Sequence, residues 1–165
     1  MERTAELRLA LAKEALRQAE MRLGDQAVAL AALETRATAI VGWSLAGFVA
    51  AGAALLRLET LPLLAWISPG ALAGFSAALC TAALPLLPGG WGVRGHEPSE
   101  IQAEWAASEA DILEWCADGY GQSISDNAER LAKSSKLVRR AIAYMIAAPI
   151  LGVSLALAAW VAGLV

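Results

Sequence analysis

The residues able to do chemistry in this chain are few and scattered. A single histidine, His96, stands in the glycine-rich stretch GGWGVRGHEP, and carboxylates follow it from Glu97 to Asp118. An imidazole converging with the Glu97–Glu104 carboxylates would be the raw material of acid–base catalysis. Their spacing points elsewhere. Glu100, Glu104, Glu109, Asp111 and Glu114 surround a helix whose apolar side carries Ile101, Trp105, Ile112 and Trp115, the pattern of a solvated face. No second His or Cys lies at ligand spacing, so no metal site is expected. Cys80 falls in an apolar run and Cys116 in a polar one, which places them at different levels and argues against a disulfide. The GGWGVRG cluster lacks the lysine and serine of a phosphate loop and reads as a turn. No serine sits on a recognisable nucleophile elbow. The expectation is a non-enzyme with no catalytic, cofactor-binding or metal-binding residues.

The chain around these residues is dominated by three uncharged runs. Ala37–Leu56 carries no charge, nor does Leu61–Gly92, nor Ala141–Val165. About 20 apolar residues suffice for a helix to cross a hydrocarbon layer of ~30 Å. The expected fold class is therefore all-α: an integral membrane protein with three transmembrane helices, two of them continuous with long cytoplasmic helices. Its parts are a cytoplasmic amphipathic helix (1–36), a transmembrane hairpin (37–88), a cytoplasmic helical segment (89–140) and a third span (141–165). Of the 13 Lys and Arg, six lie in 1–36, six in 94–140, and only Arg57 elsewhere. The positive-inside rule then places both polar segments in the cytoplasm, the 57–60 turn outside, and the C-terminus outside. No cleavable signal peptide is expected, because 1–36 is charged throughout. A net charge of −3 implies no nucleic-acid partner.

The first polar segment reads as one helix. Leu9, Leu16, Leu23 and Leu30 recur every seven residues, with Ala5, Ala12, Ala19, Gln26 and Leu33 in the complementary row. Alanine on a seam allows close approach, as in antiparallel or multi-helix packing. The seam either packs on the chain's own second polar segment or docks another chain; with Trp105 and Trp115 it forms the candidate cytoplasmic interaction surface. Nothing breaks this helix before Leu56, and Gly24-Asp25 is its weakest point. Small residues four apart mark candidate helix-packing stripes: Gly42, Ala46, Ala50 and Ala54; Gly70, Gly74, Ala78 and Ala82; Ala148, Gly152 and Ala156. They would pack helices within a chain or join copies into a homo-oligomer. Pro69 is expected to divide an interfacial turn from the second span, and Pro85 and Pro88 to end that span. A helix is expected from Pro98, interrupted at Ala117-Asp118-Gly119. A further one from Tyr120 carries Ile124, Ala128, Leu131, Ser135 and Val138 into the third span. Arg36, Lys133, Lys136, Arg139 and Arg140 would lie at the membrane surface against anionic headgroups. The uncharged spans argue against an active transporter, although Ser44, Ser76, Thr81 and Ser154 would allow a pore.

The order of parts is similar to that of a known group. Glu34-Thr35-Arg36-Ala37-Thr38 opens the first span, and Tyr120, Ile124, Asn127, Leu131 and Lys133 precede the last. This resembles the small bacterial membrane effectors of nucleotide-signalling antiphage systems, the Pycsar-type and SLATT-type transmembrane modules. Those families open the first span with an acidic-x-basic-Ala motif, matched by Glu34 and Arg36. They place an Asn six residues before a basic residue, matched by Asn127 and Lys133. The resemblance implies an oligomer that disrupts the inner membrane when activated. The competing expectation is a membrane-anchored structural or adaptor protein whose cytoplasmic helices dock a soluble partner. In either case the lipid bilayer is the first partner.

Overall fold

The computed structural model describes residues 2–56, 62–92 and 108–163. Three long helices account for nearly all of them: α1 (Glu2–Leu55), α2 (Pro62–Ala83) and α3 (Glu109–Val161), with a 3-10 turn at Leu84–Leu86 after α2. No strand occurs among the described residues. The Arg57–Thr60 turn, the helix start at Pro98, His96, Ile101 and Trp105 lie outside them. All three helices are long and apolar enough to cross a membrane. The chain forms two compact units, residues 1–31 with 89–132, and residues 32–88 with 133–165.

In the first unit the Leu/Ala seam of α1 is filled by the chain itself. Ala19 and Leu23 are buried with Tyr120, and Leu16 and Ile124 pack against them. Gln26 donates from Nε2 to the Ile124 carbonyl at 2.9 Å. Arg8 meets Asp111 and Glu114, and residue numbers rise together along both segments, so the two helices are parallel. A seam rich in alanine suits antiparallel packing equally well. The direction is parallel because both helices start in the polar segments and each leads into an apolar run.

α3 passes through Ala117-Asp118-Gly119 without interruption, contrary to the sequence expectation. The reason is Tyr120, buried against Ala19 and Leu23. Two helical glycines, Gly119 and Gly121, cost about 2 kcal/mol relative to alanine. A buried aromatic ring of roughly 200 Å² returns about 5 kcal/mol at 25 cal/mol per Å². Packing overrides propensity. The buried series of α3 also differs from the expected one: Asn127 and Ser134 face inward, while Ala128 and Ser135 are exposed. α3 begins at Glu109, where Ser108 and Asp111 cap one another: Ser108 N donates to Asp111 Oδ2 and Asp111 N to Ser108 Oγ.

The second unit is built on very close approaches. Ala37, Ile40, Ala82, Val138 and Ala141 form its core, with Leu33, Val41 and Met145 around them. α2 runs antiparallel to the other two helices here, since Gly70 lies at Gly152 and Gly74 at Ala148. A Cβ on Gly74 would sit 2.5 Å from Ala148 Cα, and one on Gly152 would sit 2.5 Å from the Ile67 carbonyl oxygen. Those are backbone collisions, so the helices touch only because these side chains are missing. Pro69 lies inside α2 rather than dividing it. The contact of the next residue, Gly70, with the Leu151–Gly152 backbone holds that turn helical despite the lost hydrogen bond.

Replacing Gly74 with valine is expected to destabilise the protein by about 1–3 kcal/mol through overpacking. A Cβ on Gly42 would meet no atom within 4 Å, so Gly42→Val should leave thermal unfolding of the detergent-solubilised protein nearly unchanged. Equal effects of the two changes would contradict the packing described.

Candidate functional site

The arrangement with most side-chain definition is the polar clamp of the first unit. Residues 89–92 lie along α3 in irregular conformation. Asn127, 2% exposed, grips Gly92 at both ends: its Nδ2 donates to the Gly92 carbonyl at 2.9 Å, and Gly92 N donates to its Oδ1 at 3.0 Å. Arg130 Nη1 donates to the Gly90 carbonyl. A Cβ at Gly92 would meet Ser123 Cβ at 2.6 Å, so glycine lets the strap lie flat on the helix. One buried amide thus satisfies both backbone groups of a segment that has no secondary structure of its own.

Around the start of α3 stands an exposed ion-pair network. Arg8 is bidentate to Glu114, with Nε to Oε1 at 2.9 Å and Nη2 to Oε2 at 2.6 Å, and Nη2 also reaches Asp111 Oδ1 at 2.7 Å. Lys13 pairs with Glu109 at 2.9 Å. The Arg8 guanidinium lowers the Glu114 pKa. For Asp111 the hydrogen bonds from Ser108 are the larger cause and Arg8 the smaller. Glu14 falls to about 2 through its hydrogen bonds with Arg17 and Gln18. Glu14, Asp111 and Glu114 are thus held ionised, the reverse of what a general acid at neutral pH requires. Exposed pairs are each worth ~1 kcal/mol or less, but a forked Arg8 fixes the axial register of the two helices. Burial raises the Cys116 thiol pKa, which makes it a poor nucleophile. Among the described residues no group of His, Cys, Asp and Glu is placed to hold a metal ion.

The candidate interaction residues divide. Leu23 is buried and Leu16 packs beside it, while Leu9, Leu30 and Trp115 are half-buried. This part of the seam is occupied within the chain; Trp105 lies outside the described residues. Of the packing stripes, Gly70, Gly74, Ala78, Ala82, Ala148, Gly152 and Ala156 are all buried. On α1, Gly42, Ala46 and Ala50 are exposed and Ala54 half-buried; the inward face carries Ile40, Ser44, Gly47 and Ala51 instead. Those positions continue the seven-residue spacing of the polar half, from Leu33 to Ile40 and Gly47, and from Ala37 to Ser44 and Ala51. The spacing is present in the sequence but hidden, because every residue around it is apolar. Ser44 is fully buried and Ser154 exposed, so they line no common channel in one chain, and Ser76 Oγ donates to the Leu72 carbonyl. Arg36, Lys133, Lys136, Arg139 and Arg140 are all exposed.

Asn127 stands out in the sequence only through a resemblance, which gives it no role, and neither Arg8 nor Ser108 stands out at all. Ser108-x-x-Asp111 is a legible capping signal, whereas Arg8 gives none without its distant partners. No family model, curated protein or solved structure matches the chain.

Asn127→Leu should free Gly92, leaving its N–H and C=O without their buried partner. Amide exchange at Gly92 is expected to accelerate by about tenfold to a hundredfold, matching a loss of ~1–3 kcal/mol. Unchanged exchange there would show that the strap is held by something else.

Proposed function

We propose that this chain is an oligomeric helical protein of the bacterial inner membrane, whose spans permeabilise the bilayer under control of its cytoplasmic helices. The observation that carries the reading is apolar surface without cover. In the most apolar window of each helix only 11%, 33% and 22% of residues are buried. Trp43, Leu45, Val49, Ile146, Ile150, Leu157 and Trp160 are exposed. Water would not tolerate such a surface, whereas lipid would. From Arg140 to Trp160 is twenty residues of helix, or ~30 Å, the thickness of a hydrocarbon layer. The basic residues bound one end of this distance, and Trp66 and Trp160 suit the other interface. With the basic end in the cytoplasm, the N-terminus is inside and the C-terminus outside.

Self-association is supported by the exposed Gly42–Ala46–Ala50 stripe, which the chain's own packing leaves unused. The resemblance to Pycsar-type and SLATT-type modules points the same way. Since α1 and α3 are each unbroken through their polar and apolar halves, a change at the polar end has a stiff path to the spans. The adaptor reading is favoured by a separate observation. Leu7, Leu11, Met21 and Val28 are exposed on the polar half of α1, where a soluble partner would find an apolar row.

Expression should collapse the membrane potential, read with a voltage-sensitive dye. Gly42→Leu should abolish the effect while the protein still folds and inserts. An unchanged potential at high expression, together with a co-purifying partner lost on Leu7→Glu/Leu11→Glu, would favour the adaptor reading instead.

A further inference from the structure

The basic residues of α3 do not ring the helix; they share one side. At about 100° per residue, Lys133, Lys136, Arg139 and Arg140 fall within an arc of about 120°. The buried residues Ser134, Val138 and Ala141 occupy a narrower arc centred about 170° away. The cations therefore look outward from the second unit as a patch. Arg36 precedes Ala37, which packs with Val138 and Ala141, so Arg36 stands at the same height but on the helix that covers the opposite face of α3. No Asp or Glu follows Glu129 in the chain, and Glu34 is the only acidic side chain among the described residues of this unit.

The same side of α3 changes character beyond Arg140. Ala143, Ala147, Ile150, Leu157 and Val161 continue the arc, and all but the half-buried Ala147 are exposed. A strip that is cationic for about 10 Å and then, Ser154 apart, apolar for about 27 Å matches an amphiphile with an anionic head. A free phosphate would use only the first part.

We propose that Lys136, Arg139 and Arg140 bind the phosphate headgroup of an anionic phospholipid whose acyl chains lie along Ala143–Ile150. This rests on the reading that the second unit is inserted in a bilayer. Arginine suits the role, because its planar fork can take two phosphate oxygens at once. The apolar strip beside it keeps the chains in register with the head.

The test uses the full-length protein reconstituted in vesicles of phosphatidylcholine, alone or mixed with phosphatidylglycerol. Insertion is read by resistance to carbonate extraction, and retained lipid by native mass spectrometry. Phosphatidylglycerol should be retained above its bulk ratio by about fivefold for each cation engaged. Lys136→Gln/Arg139→Gln/Arg140→Gln should return it to the bulk ratio, while Lys13→Gln/Arg17→Gln/Arg22→Gln, with the same change of charge, should not. Inorganic phosphate should displace no more lipid than chloride at equal ionic strength; selective displacement would mark a free-anion site and overturn the lipid assignment. Insertion with phosphatidylglycerol at its bulk ratio overturns the site and leaves the membrane reading standing. Failure to insert in either vesicle overturns both.

Discussion

The pairing of α1 with α3 is the contact on which the rest of the fold depends. Buried positions on both helices recur at four- and seven-residue steps in the first unit, through Ala12, Ala19 and Leu23 on one and Tyr120 and Asn127 on the other. In the second unit the buried positions follow three-, four- and seven-residue steps, through Ala37, Ile40 and Ser44 and through Ser134, Val138, Ala141 and Ala148. A seven-residue repeat keeps one face of a helix turned to its partner over many turns. The seam is made of small and polar residues as much as of leucine, so it gains by close approach rather than by large side chains. Burial alone leaves the axial register loosely set. The forked Arg8 pairs and the Gln26 bond to the Ile124 carbonyl are what define it in the first unit. The Oε1 of Gln26 is left buried and unbonded, a penalty against that definition.

In the second unit a different force takes over. Its contacts rest on backbone proximity at Gly70, Gly74 and Gly152, the packing that helices use where no hydrophobic drive acts between them. The outward surface is left large, apolar and uncovered. Glu14, Glu109, Asp111 and Glu114 are held in ion pairs, Asp111 also in the cap of α3. α1 and α3 each carry a polar segment and an apolar run, with cationic side chains where the apolar run begins.

Much of this is visible in the sequence. Helix type, the three apolar runs and the Leu9–Leu30 repeat can each be read from composition and period. Polar residues mark the phase of a repeat only where they alternate with apolar ones, so the seam of α1 disappears from view after Arg36. There the four-residue Gly42–Ala46–Ala50 spacing looks like a packing face, although Ile40, Ser44 and Gly47 face inward. Local rules also misjudge Gly119 and Pro69, both of which sit in helices held by tertiary contacts. Asn127 is legible as a residue but not as a clamp, because its partner Gly92 is thirty-five positions away.

The central claim is that α1 and α3 pair in parallel within one chain. Cysteine cross-linking tests it directly. With Cys80 and Cys116 replaced by serine, Leu23→Cys/Tyr120→Cys should give an oxidised product that migrates as a monomer, with no link between differently tagged copies. Cross-links formed only between copies, or none at all in folded protein, would contradict the pairing on which the fold rests.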